Sequence, residues 1–113
     1  MTDAAAVERA HDIFDPLAAG YLARPGVDIG PMFGSEGLRI RGKVFAFVGY
    51  RGSLVVKVPE ARADELVESG TAERMEMRGR AMREWVLIGP EAAHAWGPLM
   101  ADAYAFVDEI TPS

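Results

Sequence analysis

Cysteine is absent from this 113-residue chain, and histidine occurs only twice. The lack of cysteine excludes disulfides, thiolate metal sites and cysteine nucleophiles, and it is consistent with a reducing compartment. The chain also lacks any apolar run near the roughly 20 residues that a membrane-spanning helix needs. Its start has neither a basic segment nor an apolar core, so we predict no signal peptide. We therefore expect a cytoplasmic protein without membrane contact.

The sequence also lacks the side-chain groupings that are typical of enzymes and cofactor sites. His11 and His94 fall on different predicted helices, and neither has further ligands at the spacing of a recognised metal motif. The serines have no nucleophile-elbow setting, and the carboxylates of residues 64–68 are typical of a solvated helix face. We therefore predict a protein that is not an enzyme, with no catalytic residue, no metal and no cofactor.

Composition and length fit an ordinary globular protein. Half of the residues are hydrophobic and 26% are charged, which is close to average usage. The length predicts one domain over residues 1–113. The net charge of −5 means that the chain as a whole has no basic footprint for nucleic acid.

Apolar periodicity predicts the order of helices and strands. Residues 3–23 have a helical apolar stripe with Asp3 as N-cap, and Pro16 predicts a kink or a break within it. Residues 31–58 contain three strands with glycine turns between them. A second helix begins at Pro59 and ends at Gly70. Strands at 73–79 and 83–89, with a turn at 79–82, precede a last helix in 90–110 that Gly97 and Pro98 divide.

These elements predict an α+β fold of order α-β(3)-α-β(2)-α, with one five-stranded antiparallel sheet and helices packed on it. The glycines Gly34 and Gly37 introduce the first strands. A glycine-rich loop can hold a phosphate, but such loops lie between a strand and a helix. Because a strand follows here, we interpret both glycines as positions of backbone freedom at a turn or bulge.

Four segments carry a resemblance to a known family. Residues 32–38 (MFGSEGL) are followed by residues 43–46 (KVFA), 54–58 (LVVKV) and 79–86 (GRAMREWV). In this order they resemble the TfoX (Sxy) N-terminal domain family, with Ser35 at a position where glycine is usual and Ala81 where proline is usual. The resemblance implies the same α-β(3)-α-β(2)-α fold and a regulatory, competence-related role, and it implies no catalytic residues. We expect a stand-alone single-domain member.

Charge is unevenly distributed between the predicted strands and helices. Residues 31–58 carry five cations and one acid, whereas the predicted helical segments carry three cations and thirteen acids. If the helices cover one face of the sheet, the other face is relatively basic and can meet an acidic partner. Charged strand positions also resist edge pairing, and this alternative stays open. The candidate interaction surface comprises Arg39, Arg41, Lys43, Arg51, Lys57, Arg78, Arg80 and Arg83.

Three hypotheses about function follow from these observations. The first is a regulatory protein-interaction domain that forms a homodimer through its sheet. The second is a nucleic-acid-binding regulatory protein that uses the basic sheet face, with binding sensitive to salt. The third is a small-molecule or enzymatic site near Trp85, His94 and Trp96, between the sheet and the last helix.

Overall fold

The computed structural model describes residues 3–32, 35–49 and 51–112. The described ranges exclude Phe33 and Gly34, from the segment 32–38 that resembles the family, and Tyr50, which precedes Arg51. The elements in chain order are α1 (Ala4–Leu22), β1 (Val27–Met32), β2 (Ser35–Ile40), β3 (Lys43–Val48), β4 (Leu54–Lys57), α2 (Glu60–Glu68), β5 (Glu73–Met77), β6 (Arg80–Ile88), a 3₁₀-helix (Pro90–Ala95) and α3 (Trp96–Ile110). This confirms the α+β class with three α-helices and one antiparallel sheet.

The sheet has six strands in the order β1-β2-β3-β4-β6-β5, so the prediction of five strands was wrong. The additional strand is β1, which pairs with β2 from Val27 opposite Ile40 to Met32 opposite Ser35. Its sequence contains Gly30 and Pro31, residues that argue against a strand interior. Proline has no N–H to donate, and it is tolerated here because β1 is an edge strand.

Helix α1 begins and ends within one residue of the predicted range 3–23. Asp3 caps it, since the Oδ1 atom of Asp3 accepts the Ala6 N–H at 3.0 Å. Pro16 was predicted to cause a kink or a break, and the break does not occur, because one helix runs from Ala4 to Leu22. Pro16 and Asp12, the residue whose carbonyl loses its helical partner, are both exposed. Water can therefore hydrogen-bond that carbonyl, which lowers the cost of the proline.

Two hairpin turns are made by an Arg-Gly pair. Arg41 and Gly42 have φ of 49° and 85°, and Arg78 and Gly79 have φ of 54° and 78°. Positive φ at both central residues is what a type I′ hairpin turn requires. The predicted turn at 79–82 was therefore misplaced, and β6 begins already at Arg80.

The core lies between the helices and one face of the sheet. Its buried side chains come from all three helices and from alternate positions of the strands, among them Phe14, Leu38, Leu54, Leu66, Val86, Ile88 and Met100. A bulge where β2 meets β3 places the neighbours Phe45 and Ala46 both in this core. None of the described helices contributes to the opposite face, which we call the helix-free face.

Candidate interaction surface

An apolar strip occupies the centre of the helix-free face. Val55 pairs with Phe47 on one side and with Leu87 on the other, so these three side chains share a face. The Trp85 ring joins them, with its centroid 5.9 Å from that of Phe47. Phe47 is only 5% exposed and Val55 only 1%, whereas Trp85 and Leu87 are half-buried. We define the apolar strip as Phe47, Val55, Trp85 and Leu87.

An ion pair lies beside this strip, across the first two strands. Asp28 and Arg39 face each other in the β1–β2 register. The Arg39 Nε and Nη2 atoms donate to the two Asp28 carboxylate oxygens at 2.8 and 2.6 Å. Hydrogen bonding from Arg39 holds the pKa of Asp28 below its usual value, and the same bond raises the pKa of Arg39. Arg39 is therefore matched by an acid on its own face.

Lys57 also belongs to the helix-free face, since it pairs with Trp85 in the β4–β6 register. Its Nζ atom lies 6.0 Å from the centroid of the Trp85 ring. The same atom lies 3.9 Å from the Glu84 Oε1 atom. Arg39 and Lys57, the two predicted cations beside the apolar strip, therefore each have a carboxylate within 4.0 Å, so part of the positive charge predicted for this face is matched.

Glycines on β1 and β2 make room for the side chains of this face. A Cβ atom at Gly30 would overlap the Arg39 guanidinium, and one at Gly37 would lie 2.9 Å from the Val44 Cγ1 atom. Such close approach explains why these strand positions carry no side chain. Gly37 lies within β2, so no helix N-terminus follows it as a phosphate loop requires.

Arg41 makes its contacts with α3 instead of this face. Its Nε atom donates to the Pro112 carbonyl at 3.0 Å, and its Nη2 atom donates to the carbonyls of Asp108 and Thr111 at 2.8 and 2.7 Å. The guanidinium also lies 2.9 Å from the Asp108 carboxylate. Arg41 therefore serves the fold by closing the last turn of α3.

The remaining predicted residues are exposed and lie at different places. Lys43 begins β3 beside the β2–β3 turn, and Arg51 lies in the β3–β4 turn at the opposite end of the sheet. Arg78, Arg80 and Arg83 belong to the β5–β6 hairpin, at the far side of the sheet from β2. The eight predicted residues thus do not form one surface.

The structure also separates the residues of the third hypothesis. Trp96 is fully buried in the core, and its indole N–H donates to the Gly89 carbonyl at 3.1 Å. Trp85 precedes the core residue Val86 on β6, and strand alternation places it on the helix-free face. His94 is exposed on the 3₁₀-helix. Trp85 and Trp96 therefore lie on opposite sides of the sheet.

Sequence reasoning missed Asp28, the acid that pairs with Arg39. Residues 27–30 were not assigned to a strand, so the charge of Asp28 was counted with the helical segments. The signal was the alternation of Val27 and Ile29 with Asp28 directly after the Pro25-Gly26 turn. Glu84 falls within the strand predicted at 83–89, but its proximity to Lys57 depends on the β4–β6 pairing, which the sequence does not reveal.

Within residues 3–32, 35–49 and 51–112, no group of three or more histidine or acidic side chains is arranged to hold a metal ion. In the same part of the chain, no helix combines the length and the apolar character needed to cross a membrane. No protein-family model matches the chain, and comparison with curated proteins also gives no match. The resemblance to TfoX N-terminal domains therefore stays a prediction from the four sequence segments.

Proposed function

We propose that this chain is a non-enzymatic protein-interaction domain that forms a homodimer through its helix-free face. The observation that carries the proposal is the apolar strip. An antiparallel sheet with one solvated face normally presents polar side chains there. Here the middle strands carry Phe47, Val55, Trp85 and Leu87 on a face where no described helix packs. Phe47 and Val55 are nearly covered by their own neighbours, and the half-buried Trp85 and Leu87 offer the accessible apolar surface. Aromatic residues with few charges at the centre are typical of the buried part of an interface.

The charges around the strip favour a second copy as the partner. In a two-fold symmetric dimer the same surface meets itself, so a surface of one sign would repel its copy. The cations Arg39 and Lys57 each have a carboxylate within 4.0 Å, and this reduces that repulsion. The acidic helices lie on the other side of the sheet, away from the contact.

A regulatory role in the cytoplasm, of the TfoX type, completes this proposal. It is supported by the four similar sequence segments and by the α+β layout, in which three helices pack on one side of one antiparallel sheet. In such a role the dimer itself, or a further protein bound to it, transmits the signal. This requires no catalytic group.

Light scattering after size-exclusion chromatography, over a dilution series, tests the dimer. We expect a dimer that dissociates on dilution, and we expect Leu87→Glu on the apolar strip to leave only monomer. Ile110→Glu is the matched control, because Ile110 is 50% exposed at the end of α3 and lies outside the strip. Circular dichroism verifies that both variants fold. A wild-type chain that stays monomeric at high concentration, or equal effects of the two variants, would reject the proposal.

A second candidate function is nucleic-acid binding, which the β5–β6 hairpin favours. Arg78, Arg80 and Arg83 are exposed along this one hairpin, and clustered arginines can contact phosphates. Fluorescence anisotropy with labelled single- and double-stranded DNA and RNA at low salt measures this. Binding that weakens with salt and is lost in the Arg78→Glu, Arg80→Glu double variant supports this candidate. The absence of any anisotropy change eliminates it.

A further inference from the structure

A groove lies on the helix-covered side of the sheet, where α1 meets the edge strand β1 and its neighbour β2. It has a cavity volume of about 320 Å³, which is within the usual range of small-molecule sites. Phe14, Ala18 and Leu38 line it with buried apolar surface. Leu22 and Ile29 line it as well, although they are 41% and 46% exposed. We call this the α1–β1 groove.

The two exposed apolar side chains distinguish this groove from ordinary surface. Only four large apolar side chains of the described residues are at least 36% exposed, and the α1–β1 groove contains two of them. Leu22 comes from the last turn of α1 and Ile29 from the middle of β1. Both therefore offer apolar surface to an occupant of the groove, which would gain by removing it from water.

The polar side chains of the groove lie towards one end. Helix α1 starts beside the β3–β4 turn, since a Cβ atom at Gly52 would lie 2.7 Å from the Ala6 carbonyl oxygen. The antiparallel register places Glu36, near the start of β2, towards the same end of the sheet. His11 and Asp15 come from the first two-thirds of α1, and Leu22 ends it. The groove therefore has a polar end and an apolar end.

The charge of the polar end selects the kind of ligand. Two carboxylates, from Asp15 and Glu36, line the groove together with a single imidazole from His11. The His11 Nδ1 atom lies 2.8 Å from the Asp15 Oδ1 atom, so the imidazole is held by Asp15. Because one Asp15 oxygen already contacts His11, the Glu36 carboxylate and the other Asp15 oxygen carry the negative charge available to a ligand. This charge disfavours an anionic head group and favours an ammonium group, while most of the remaining lining is apolar.

We propose that the α1–β1 groove binds a small amphiphilic amine, with the ammonium group near Asp15 and Glu36 and the apolar body against Leu22 and Ile29. This site is independent of the homodimer, because it lies on the other side of the sheet from the apolar strip. The charge complementarity of the polar end determines this choice of occupant over a neutral or acidic one.

Methyl NMR on leucine- and isoleucine-labelled protein tests the proposal with three probes that share one apolar body. The probes are phenylbutylamine, the neutral phenylbutanol and the anionic phenylpentanoate, in each of which four methylenes join the phenyl ring to the head group. We expect saturable shifts of the Leu22, Ile29 and Leu38 methyl signals, with the amine bound about 1.5-fold to fivefold more tightly than the alcohol, as for exposed ion pairs. The Asp15→Asn, Glu36→Gln double variant should remove this difference between amine and alcohol.

A matched pair of tryptophan variants tests the location. Ala19→Trp fills the α1–β1 groove, whereas Ala105→Trp lies in a separate groove on α3 near Arg62 and Phe106. Both alanines are exposed, so both variants should fold, and thermal unfolding verifies it. We expect Ala19→Trp alone to abolish amine binding. The proposal would be overturned if the methyl shifts do not saturate, or if the amine and the acid bind equally well. It would also be overturned if the two tryptophan variants have equal effects on amine binding.

Discussion

The Arg41 guanidinium lies 2.9 Å from the Asp108 carboxylate and also donates to the backbone carbonyls of Asp108 and Thr111. Arg41 belongs to the β2–β3 turn, and Asp108 belongs to the last turn of α3. The Arg41 side chain thus donates to carbonyls at the end of α3 that have no partner within the helix. Its positive charge also interacts favourably with the negative end of the α3 dipole. The contact ties two segments that are far apart in the sequence.

Loss of this contact should destabilise the fold measurably. We expect Arg41→Ala to lower the free energy of unfolding by about 2 kcal/mol, which is typical of hydrogen bonds that involve a charged group. Arg41→Lys should recover only part of it, because an ammonium cannot reproduce the planar donor set. Urea unfolding measures both. Lys43→Ala, at an exposed position two residues later, is the control and should change little; a loss as large as that of Arg41→Ala would contradict this role.

The Asp28–Arg39 pair should make stability depend on acid pH. Because Arg39 lowers the pKa of Asp28 below its ordinary 3.8, the native state binds this proton more weakly than the unfolded chain does. The contribution of the pair is therefore complete above about pH 4 and is lost as the pH falls through the lowered native pKa.

Asp28→Asn tests this pH dependence by urea unfolding at a series of pH values. The difference in stability between the wild type and Asp28→Asn should be constant from neutral pH to about pH 4 and should shrink below it. Asp12→Asn, at an exposed position of α1, serves as the comparison variant. A difference that stays constant down to the lowest pH would refute the linkage.

Gly52 and Gly42 have nearly the same backbone conformation, with φ of 86° and 85°, and they differ in their surroundings. A Cβ atom at Gly42 meets no atom within 4 Å, whereas one at Gly52 lies 2.7 Å from the Ala6 carbonyl oxygen. Gly42→Ala should therefore lower the free energy of unfolding by only about 1–2 kcal/mol, which is the penalty for an alanine in the left-handed conformation. Gly52→Ala should cost clearly more, because α1 must also move. Thermal and urea unfolding compare the two, and equal losses would show that α1 does not pack against this turn.

At Gly20, in contrast, substitution by alanine should stabilise the protein. Gly20 lies inside α1 at an exposed position, and a Cβ atom there meets no atom within 4 Å. Gly20→Ala should raise the free energy of unfolding by about 0.5–1 kcal/mol, because alanine restricts the unfolded chain and favours the helix. Ala101→Gly, at an exposed position of α3, should lower it by a similar amount. A Gly20→Ala variant no more stable than the wild type would contradict a regular helix at this position.

Much of the fold could be predicted, because apolar periodicity and caps are local signals. The Asp3 cap, the stripe of α1 and the end of α2 near Gly70 were all read correctly. Strand β1 was missed because Gly30 and Pro31 have poor strand propensity, and only its place at the edge of the sheet makes them acceptable. Of the kink or break predicted at Pro16, the break does not occur. The cost of the proline depends on whether water reaches the freed carbonyl, and that exposure is a property of the fold.

The candidate surface was less predictable, since it depends on pairings across strands. The sequence shows that Arg39 and Lys57 are cations on strands. Their neighbours Asp28 and Glu84 become visible only with the strand order. Arg41 is an arginine like Arg39 and lies only two residues away, yet it sits in the β2–β3 turn and its side chain contacts α3. Counting charges along the sequence cannot distinguish cations that lie on the sheet face from one that contacts a helix.

The placement of the two tryptophans has an optical consequence. Trp96 is sealed in the core, whereas Trp85 is half-buried on the helix-free face. Indole emission depends on the local environment, so Trp96 reports on the folded state while Trp85 reports on what covers the apolar strip. In a Trp96→Phe variant, a blue shift with concentration would follow assembly alone. In a Trp85→Phe variant, a red shift with denaturant would follow unfolding alone. The chain thus contains two separate internal fluorophores, one for each side of its sheet.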